Sequence, residues 1–339
     1  MGSCGGGSDM ALLPANPQWR SLVLLAIIIV VLGVLPWTVN NYWLRIATGA
    51  LMWAGLACSW NMLGGYAGYI NFGQSAFFGL GAYVTAFLMS DPFGLAFPVT
   101  IPAGMVVTAL CAVIIGAPTL RLRGAYFAIA TWAFAEVLIQ FSSAMDFTGG
   151  IGGIGLPPYL NERFFYFAMF GAAALTYLLT WALFERSRFG LKVKALRDHE
   201  PAAEAMGINT ALVKLQTFVL SAVTASVFGA IFAYWVTFIN PKSVFGGDIT
   251  DQMVVMVLLG GLGTLWGPAI GGVALFGVNR LIWMYWGDTA FYIAILGTAI
   301  VLVVLFLPNG IAGLFERRKQ NALDKVLDKL VGSGEGGHP

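Results

Sequence analysis

The sequence predicts an all-α fold, a polytopic transmembrane helical bundle of about ten spans with discontinuous helices and both termini cytoplasmic. Three observations predict it. Of 339 residues, 58% are hydrophobic and 10% charged, against about 25% charged in an ordinary soluble domain. Apolar runs of about 20 residues, the length a helix needs to cross the hydrocarbon core, recur along the chain without strand-like alternation. Lysine and arginine collect in a few segments between those runs, as they do in cytoplasmic loops.

The first residues, "MGSCGGGSD", lack the basic region, apolar core and cleavage site of a secretory signal. Gly6 stands where a myristoylation site has Ser or Thr. Residues 1–18 are expected to be a flexible or added tail, 19–313 the transmembrane domain, and 314–339 a cytoplasmic amphipathic tail. Spans are expected near 20–37, 41–63, 70–90, 96–116, 125–143, 164–184, 212–236 and 289–307. The remaining stretch, 252–286, crosses twice or not at all, and its length suits two crossings. Its break belongs at "GGLGTLWGP", Gly260 to Pro268, where glycine permits unusual angles and proline cannot donate to the helix. That makes ten spans, the eighth short or broken.

Orientation follows from Arg121 and Arg123, from Arg186, Arg188, Lys192, Lys194, Arg197 and Lys214, and from Arg317, Arg318, Lys319, Lys325 and Lys329. With Arg20, fourteen basic residues fall inside and four, Arg45, Arg163, Lys242 and Arg280, outside. Leu323, Val326, Leu327 and Leu330 recur at helical spacing in the tail, which reads either as a helix lying on the cytoplasmic surface or, in preference, as a solvated basic anchor on the cytoplasmic side.

Polar groups inside the apolar runs need partners. Irregular backbone at membrane depth is tolerated where protein or a water-filled cavity covers it. Hence Gly68, Asn71 and Gln74 in "GYAGYINFGQSAFFGLGAY", and Gly260, Gly263 and Pro268 in the second break, are candidates to border a solute path. Gly79 and Gly81 also fit close helix packing. Glu136 lies about eleven residues into the fifth span, where a carboxylate costs about 2.5–3.5 kcal/mol; it belongs either to a path or proton site or to a contact with another helix or subunit. The glycine-rich "DFTGGIGGIGLPP" is read as an outer loop, either a connector or a segment dipping toward the path.

Other chemistries lack their residues. There is no phosphate-binding glycine loop and no His/Cys/Glu cluster; no metal site, no bound cofactor and no catalytic residue are expected. Cys4, Cys58 and Cys111 have no ligand spacing. A net charge of +2 gives no ground for a nucleic-acid partner.

The charged segment 185–211 contains "RDHEPAAEAMGIN". Pro201 suits a first helical turn after Asp198, His199 or Glu200, "AAEAM" is rich in helix formers, and Gly207 is a natural stop. Two short cytoplasmic helices are expected, either solvated or docked into a partner.

"EPAAEAMG" resembles the coupling-loop motif of ABC importer permeases, an Ala-Ala pair before a glycine, with Pro201 where the general motif opens on glutamate and with Glu200 and Glu204 flanking. Together with "GYAGYINFGQSAFFGLGAY", "RLRGAYFAIATWAFAE", "VLLGGLGTLWGPAIGG" and "LFLPNGIAGLF", it resembles the branched-chain amino acid importer permeases of LivM type, from about residue 40 to 315. The resemblance implies a subunit that is not itself an enzyme, set in a bacterial inner membrane. Its partners would be a homologous LivH-type permease, two cytoplasmic ATPases of LivF/LivG type holding ATP and Mg, and a periplasmic solute-binding protein. Asp198, His199, Glu200, Pro201, Ala202, Ala203, Glu204 and Gly207 would then couple to an ATPase. Importers of urea, short amides or aromatic acids share the resemblance. A self-sufficient channel or proton-coupled carrier is the alternative from another class, and a polytopic membrane enzyme comes third.

Overall fold

The computed structural model describes residues 32–122, 124–286 and 297–298. The expected spans at 289–307 and, in large part, 20–37 lie outside these residues, as do Arg20, Arg123, both terminal tails and the position of the termini.

The first long helix, α1 (Asn41–Asn61), starts where the Asn40 side chain accepts from Trp43 N at 3.2 Å, and it ends in a π-helical turn, Met62–Tyr66. Irregular chain leads to α2 (Gln74–Met89), followed by α3 (Phe97–Thr119) and α4 (Ala125–Ala144). Next come α5 (Glu162–Thr180) with a π turn at Trp181–Glu185, then α6 (Arg188–Asp198) and α7 (Glu200–Ala205). The chain returns through α8 (Thr210–Val236), α9 (Pro241–Phe245), α10 (Gly247–Gly260) and α11 (Gly267–Trp286). A helical stretch at 32–38 lies against α5, where Tyr166 Oη donates to Leu32 O at 2.7 Å.

Among the described residues, six helices are long and apolar enough to cross a membrane: Asn41–Tyr66, Phe97–Thr119, Ala125–Ala144, Glu162–Glu185, Thr210–Val236 and Pro241–Gly260. Gln74–Met89 is apolar but shorter than a full crossing, because the chain from Gly68 to Gly73 leaves the helix that the hydropathy pattern extends over 70–90. In the 252–286 stretch the helix is interrupted from Gly261 to Trp266, inside the expected break.

Helices α1, α2 and α8 form the centre, with α3 on α8, α5 and α11 on α1, and α10 on α11. The α2–α8 approach is close enough that a methyl on Gly81 would collide with Ser226 O, and one on Gly229 with Phe78 O. Small residues let two backbones meet in this way without side chains between them. At Gly79 the open space is filled by the Phe245 ring of α9.

The glycine-rich loop read as outer is tied to the chain's own backbone. Residues Ile154–Gly155 (β1) pair antiparallel with Phe238–Ile239 (β2), Ile154 opposite Ile239, and Leu156 N donates to Thr237 O at 2.7 Å. This small ladder, absent from the all-α expectation, supplies partners for backbone groups that glycine-rich chain cannot pair within itself. At the same end of the bundle Glu162 accepts from Arg45 at 3.1 Å and from Trp235 Nε1 at 3.0 Å. Arg45 and Lys242, both assigned outside, share this end, whereas Lys194, Arg197 and Lys214 lie at the opposite one.

Candidate functional site

The segment between α5 and α8 folds as the two expected short helices. Ser187 caps α6, its Oγ accepting from Phe189 N at 3.0 Å and Gly190 N at 3.3 Å. His199 caps α7, its Nδ1 accepting from Ala202 N at 3.2 Å. Pro201 sits in the first turn, where its missing N–H costs nothing. Gly207, at φ +83°, ends the helix in a conformation that side chains rarely adopt.

Each short helix has an inner and an outer side. Val193, Leu196 and Ala203 are buried against the chain's own helices, while Leu191 is 68% and Met206 71% exposed. Asp198, His199, Pro201, Ala202, Glu204 and Gly207 are exposed and Glu200 half-buried. Ala203 therefore packs against the chain's own helices, while Met206, which the sequence reading passed over, is exposed.

Two tyrosine–glutamate–lysine clamps hold the pair of helices against the membrane-spanning bundle. In the first, Glu200 of α7 accepts from Lys214 Nζ at 2.5 Å and from Tyr69 Oη at 2.8 Å, and the ammonium lies 5.2 Å from the Tyr69 ring centroid. The paired side chains are 7% and 14% exposed, so this is a buried ion pair that an extra hydrogen bond and a ring face help to satisfy. Burial, opposed by the Lys214 contact and aided by the Glu200 carboxylate, holds the Tyr69 phenol above its ordinary range, so it donates. In the second clamp, Glu185 accepts from Tyr66 Oη at 2.7 Å and from Lys194 Nζ at 2.9 Å. This pair is 31% and 43% exposed.

Tyr66 and Tyr69 bracket Gly68, so both clamps grip the segment joining α1 to α2. The sequence reading did not single out either tyrosine, nor Glu185, Lys194 or Lys214 as members of a site. Lys214 carried a usable signal: a lysine at the start of an apolar span needs an anion or water at its head.

That gripped segment reaches into the core. Gly68 has φ +77°, and Arg197 of α6 packs beside it, 3.3 Å from where a side chain would begin. Asn71 and Gln74 are both buried. Asn71 Nδ2 donates to Gln74 Oε1 at 2.8 Å, and Gln74 Nε2 donates to Ser221 Oγ at 3.0 Å and Ser221 O at 3.1 Å. Asn71 Oδ1 accepts from Gly73 N at 2.9 Å, its carbonyl accepts from Trp60 Nε1 at 2.7 Å, and Ser221 Oγ donates to Ser59 O at 2.7 Å. The two amides thus join α1, α2 and α8 through protein partners.

The second break lies against the first. Asn61 Oδ1 accepts from Gly263 N and Asn61 Nδ2 donates to Thr264 O, each at 2.9 Å. Gly263 has φ +70°, and a methyl there would collide with Arg197 Nη1. Gly260 closes α10 against Gly267, and Pro268 is buried in the first turn of α11. Arg197 therefore touches both breaks.

Glu136 stands apart from this assembly. It is exposed on α4, where Gln140 Nε2 donates to its Oε1 at 3.0 Å. Among the described residues, no group of three His, Cys, Asp or Glu is placed to hold a metal ion.

The sequence model of a family described as "Branched-chain amino acid transport system / permease component" matches residues 42–307. The chain is 27% identical to the high-affinity branched-chain amino acid transport system permease protein LivM of Salmonella typhimurium, over 86% of this chain and 75% of that one. It is 25% identical to LivH, a permease protein also named for high-affinity branched-chain amino acid transport, of the same organism, over 78% of this chain and 92% of that one. A probable LivM permease of Methanocaldococcus jannaschii is 24% identical over 77% and 91%. No solved structure matches. With its family matched over most of its length and its helices long enough to span a bilayer, the chain belongs to the permease components of branched-chain amino acid transport systems.

Proposed function

We propose that the chain is the transmembrane permease subunit of an ATP-driven ABC importer. It pairs with a homologous LivH-type permease, and the two enclose the path for branched-chain amino acids delivered by a periplasmic binding protein. Two separate cytoplasmic ATPases hold ATP and Mg, so this chain transports without catalysing a reaction. In this reading the chain crosses the bacterial inner membrane ten times with both termini in the cytoplasm. The names of its LivM and LivH relatives support the assignment.

The observation that carries the mechanism is the buried clamp of Glu200 on Lys214 and Tyr69. An ATPase seated on the outer side of α7, at Pro201, Ala202 and Met206, moves a helix whose other side is tied to the α1–α2 junction. The ion pair resists slipping, so displacement of α7 is passed to Tyr69 rather than absorbed. Through Arg197 the same movement reaches the second break at Gly263. Gly68, Asn71, Gln74, Gly260, Gly263 and Pro268 then border the region that opens. Glu136, on the far side of α4, contributes through its own surface.

The test is uptake of labelled leucine into proteoliposomes holding both permeases, both ATPases and the binding protein. ATP-dependent uptake, competed by isoleucine and valine but not by urea, acetamide or benzoate, is expected. Competition by one of the latter reassigns the solute, and uptake by the chain without ATPases makes it a self-sufficient carrier.

A further inference from the structure

Helix α4 presents two unlike faces. Phe127, Thr131, Ala135 and Ser142 are buried against the chain's own helices. On the opposite face Ile129, Trp132 and Val137 are 61%, 54% and 61% exposed, with Glu136 and Gln140 exposed between them. Glu136 is the twelfth of the helix's 20 residues, which at 1.5 Å per residue places it about 2 Å from the midpoint of the span. Among the described residues, Gln140 is the one donor that reaches the carboxylate, leaving most of its acceptor capacity open. A carboxylate at this depth, facing lipid, is disfavoured by insertion costs and by its unpaired oxygens.

The neighbouring helix α3 presents an exposed face that is apolar throughout, the composition a lipid-facing surface requires. On α3, Val106, Leu110 and Ile114 are 59%, 59% and 68% exposed, and the helix has no charged residue. What covers α4 must instead supply hydrogen-bond donors in the middle of the bilayer.

We propose that the outward face of α4 is the surface on which the homologous permease docks, with Glu136 buried in that contact against donors of the partner. The proposal rests on the paired-permease reading above. Homologous subunits related by an approximate two-fold axis place corresponding surfaces opposite one another, so the partner's equivalent span is expected to meet α4. Trp132 supplies an aromatic anchor of the kind that dominates such contacts.

The test uses the full complex with the photo-crosslinker p-benzoylphenylalanine in place of Trp132 or Val137 on α4 and, as controls, in place of Leu110 or Ile114 on α3. Crosslinks to the homologous permease from α4 alone are expected. Glu136→Leu is expected to lower the partner retained at equilibrium about tenfold, and Glu136→Gln by less. If the wild-type permeases co-purify but α4 is silent, crosslinks a second copy of this chain, or reaches only lipid, the docking surface is wrong while the paired reading survives. Unchanged or improved pairing in Glu136→Leu also overturns the buried role of Glu136. If wild-type permeases do not associate at all, the paired reading fails and takes this proposal with it.

Discussion

Replacing Glu200 by alanine leaves the Lys214 ammonium buried without its anion and the Tyr69 hydroxyl without its acceptor. The two paired side chains are 7% and 14% exposed, so solvent cannot take over the lost partner as it does at a surface. Removing one member of a buried pair costs about 3–5 kcal/mol, equivalent to about a 150- to 4,000-fold rise in the open population of α7. Amide hydrogen exchange reads that population directly. The N–H groups of Ala203 and Met206, bonded to His199 O and Ala202 O at 3.1 Å each, are expected to exchange faster by that factor under conditions where exchange follows the opening equilibrium. Lys194→Ala breaks a pair that is 43% and 31% exposed, where about 0–1 kcal/mol is expected. The double variant Glu200→Ala with Lys214→Met removes both charges and should recover most of the protection, since a buried pair exchanged for apolar side chains is often neutral. Equal, few-fold effects of Glu200→Ala and Lys194→Ala, or no recovery in the double variant, would refute the claim that a buried ion pair holds α7.

Three further outcomes follow from the same geometry. Molar salt, which shortens screening to about 3 Å, is expected to weaken the exposed Lys194–Glu185 pair and leave the Lys214–Glu200 clamp largely intact, as read by the same amides. Gly81→Leu puts side-chain atoms where Ser226 O already lies; a loss of about 1–3 kcal/mol, seen as reduced thermal stability in detergent, is expected. Because the folded pKa of Tyr69 is raised, its contribution is present below the ordinary tyrosine pKa and is lost as pH rises through the higher folded value. Exchange in α7 should therefore accelerate at strongly alkaline pH, and less so in Tyr69→Phe.

Among the described residues hydropathy located several long helices well: 41–63 corresponds to Asn41–Tyr66, and 164–184 to Glu162–Glu185. It misplaced the start of α2, since Ile70 and Phe72 are apolar whether or not their backbone is helical. Glycine and proline located the second break because those residues act on backbone geometry directly. The short helices of 185–211 were legible for the same local reasons, a capping residue, a first-turn proline and a terminal glycine. Long-range pairing was not. Tyr69 meets Glu200 across 131 residues and Gln74 meets Ser221 across 147, and no local pattern encodes such a meeting. The need for partners at Asn71 and Gln74 was readable from their polarity, but which groups supplied them was not. Ala203 shows the limit most plainly: a motif identifies the helix, yet only packing tells which side of it is free.

The most direct test of the coupling account changes the outer side of α7 while leaving its inner side and both clamps untouched. Met206→Asp and Ala202→Asp, each in the complete transporter, would be compared with wild type for retention of the two ATPases on purification and for solute-stimulated ATP hydrolysis. Loss of ATPase binding or of stimulation, with the permease pair still folded and associated, is predicted. Full binding and full stimulation in both variants would contradict the claim that α7 receives the ATPase.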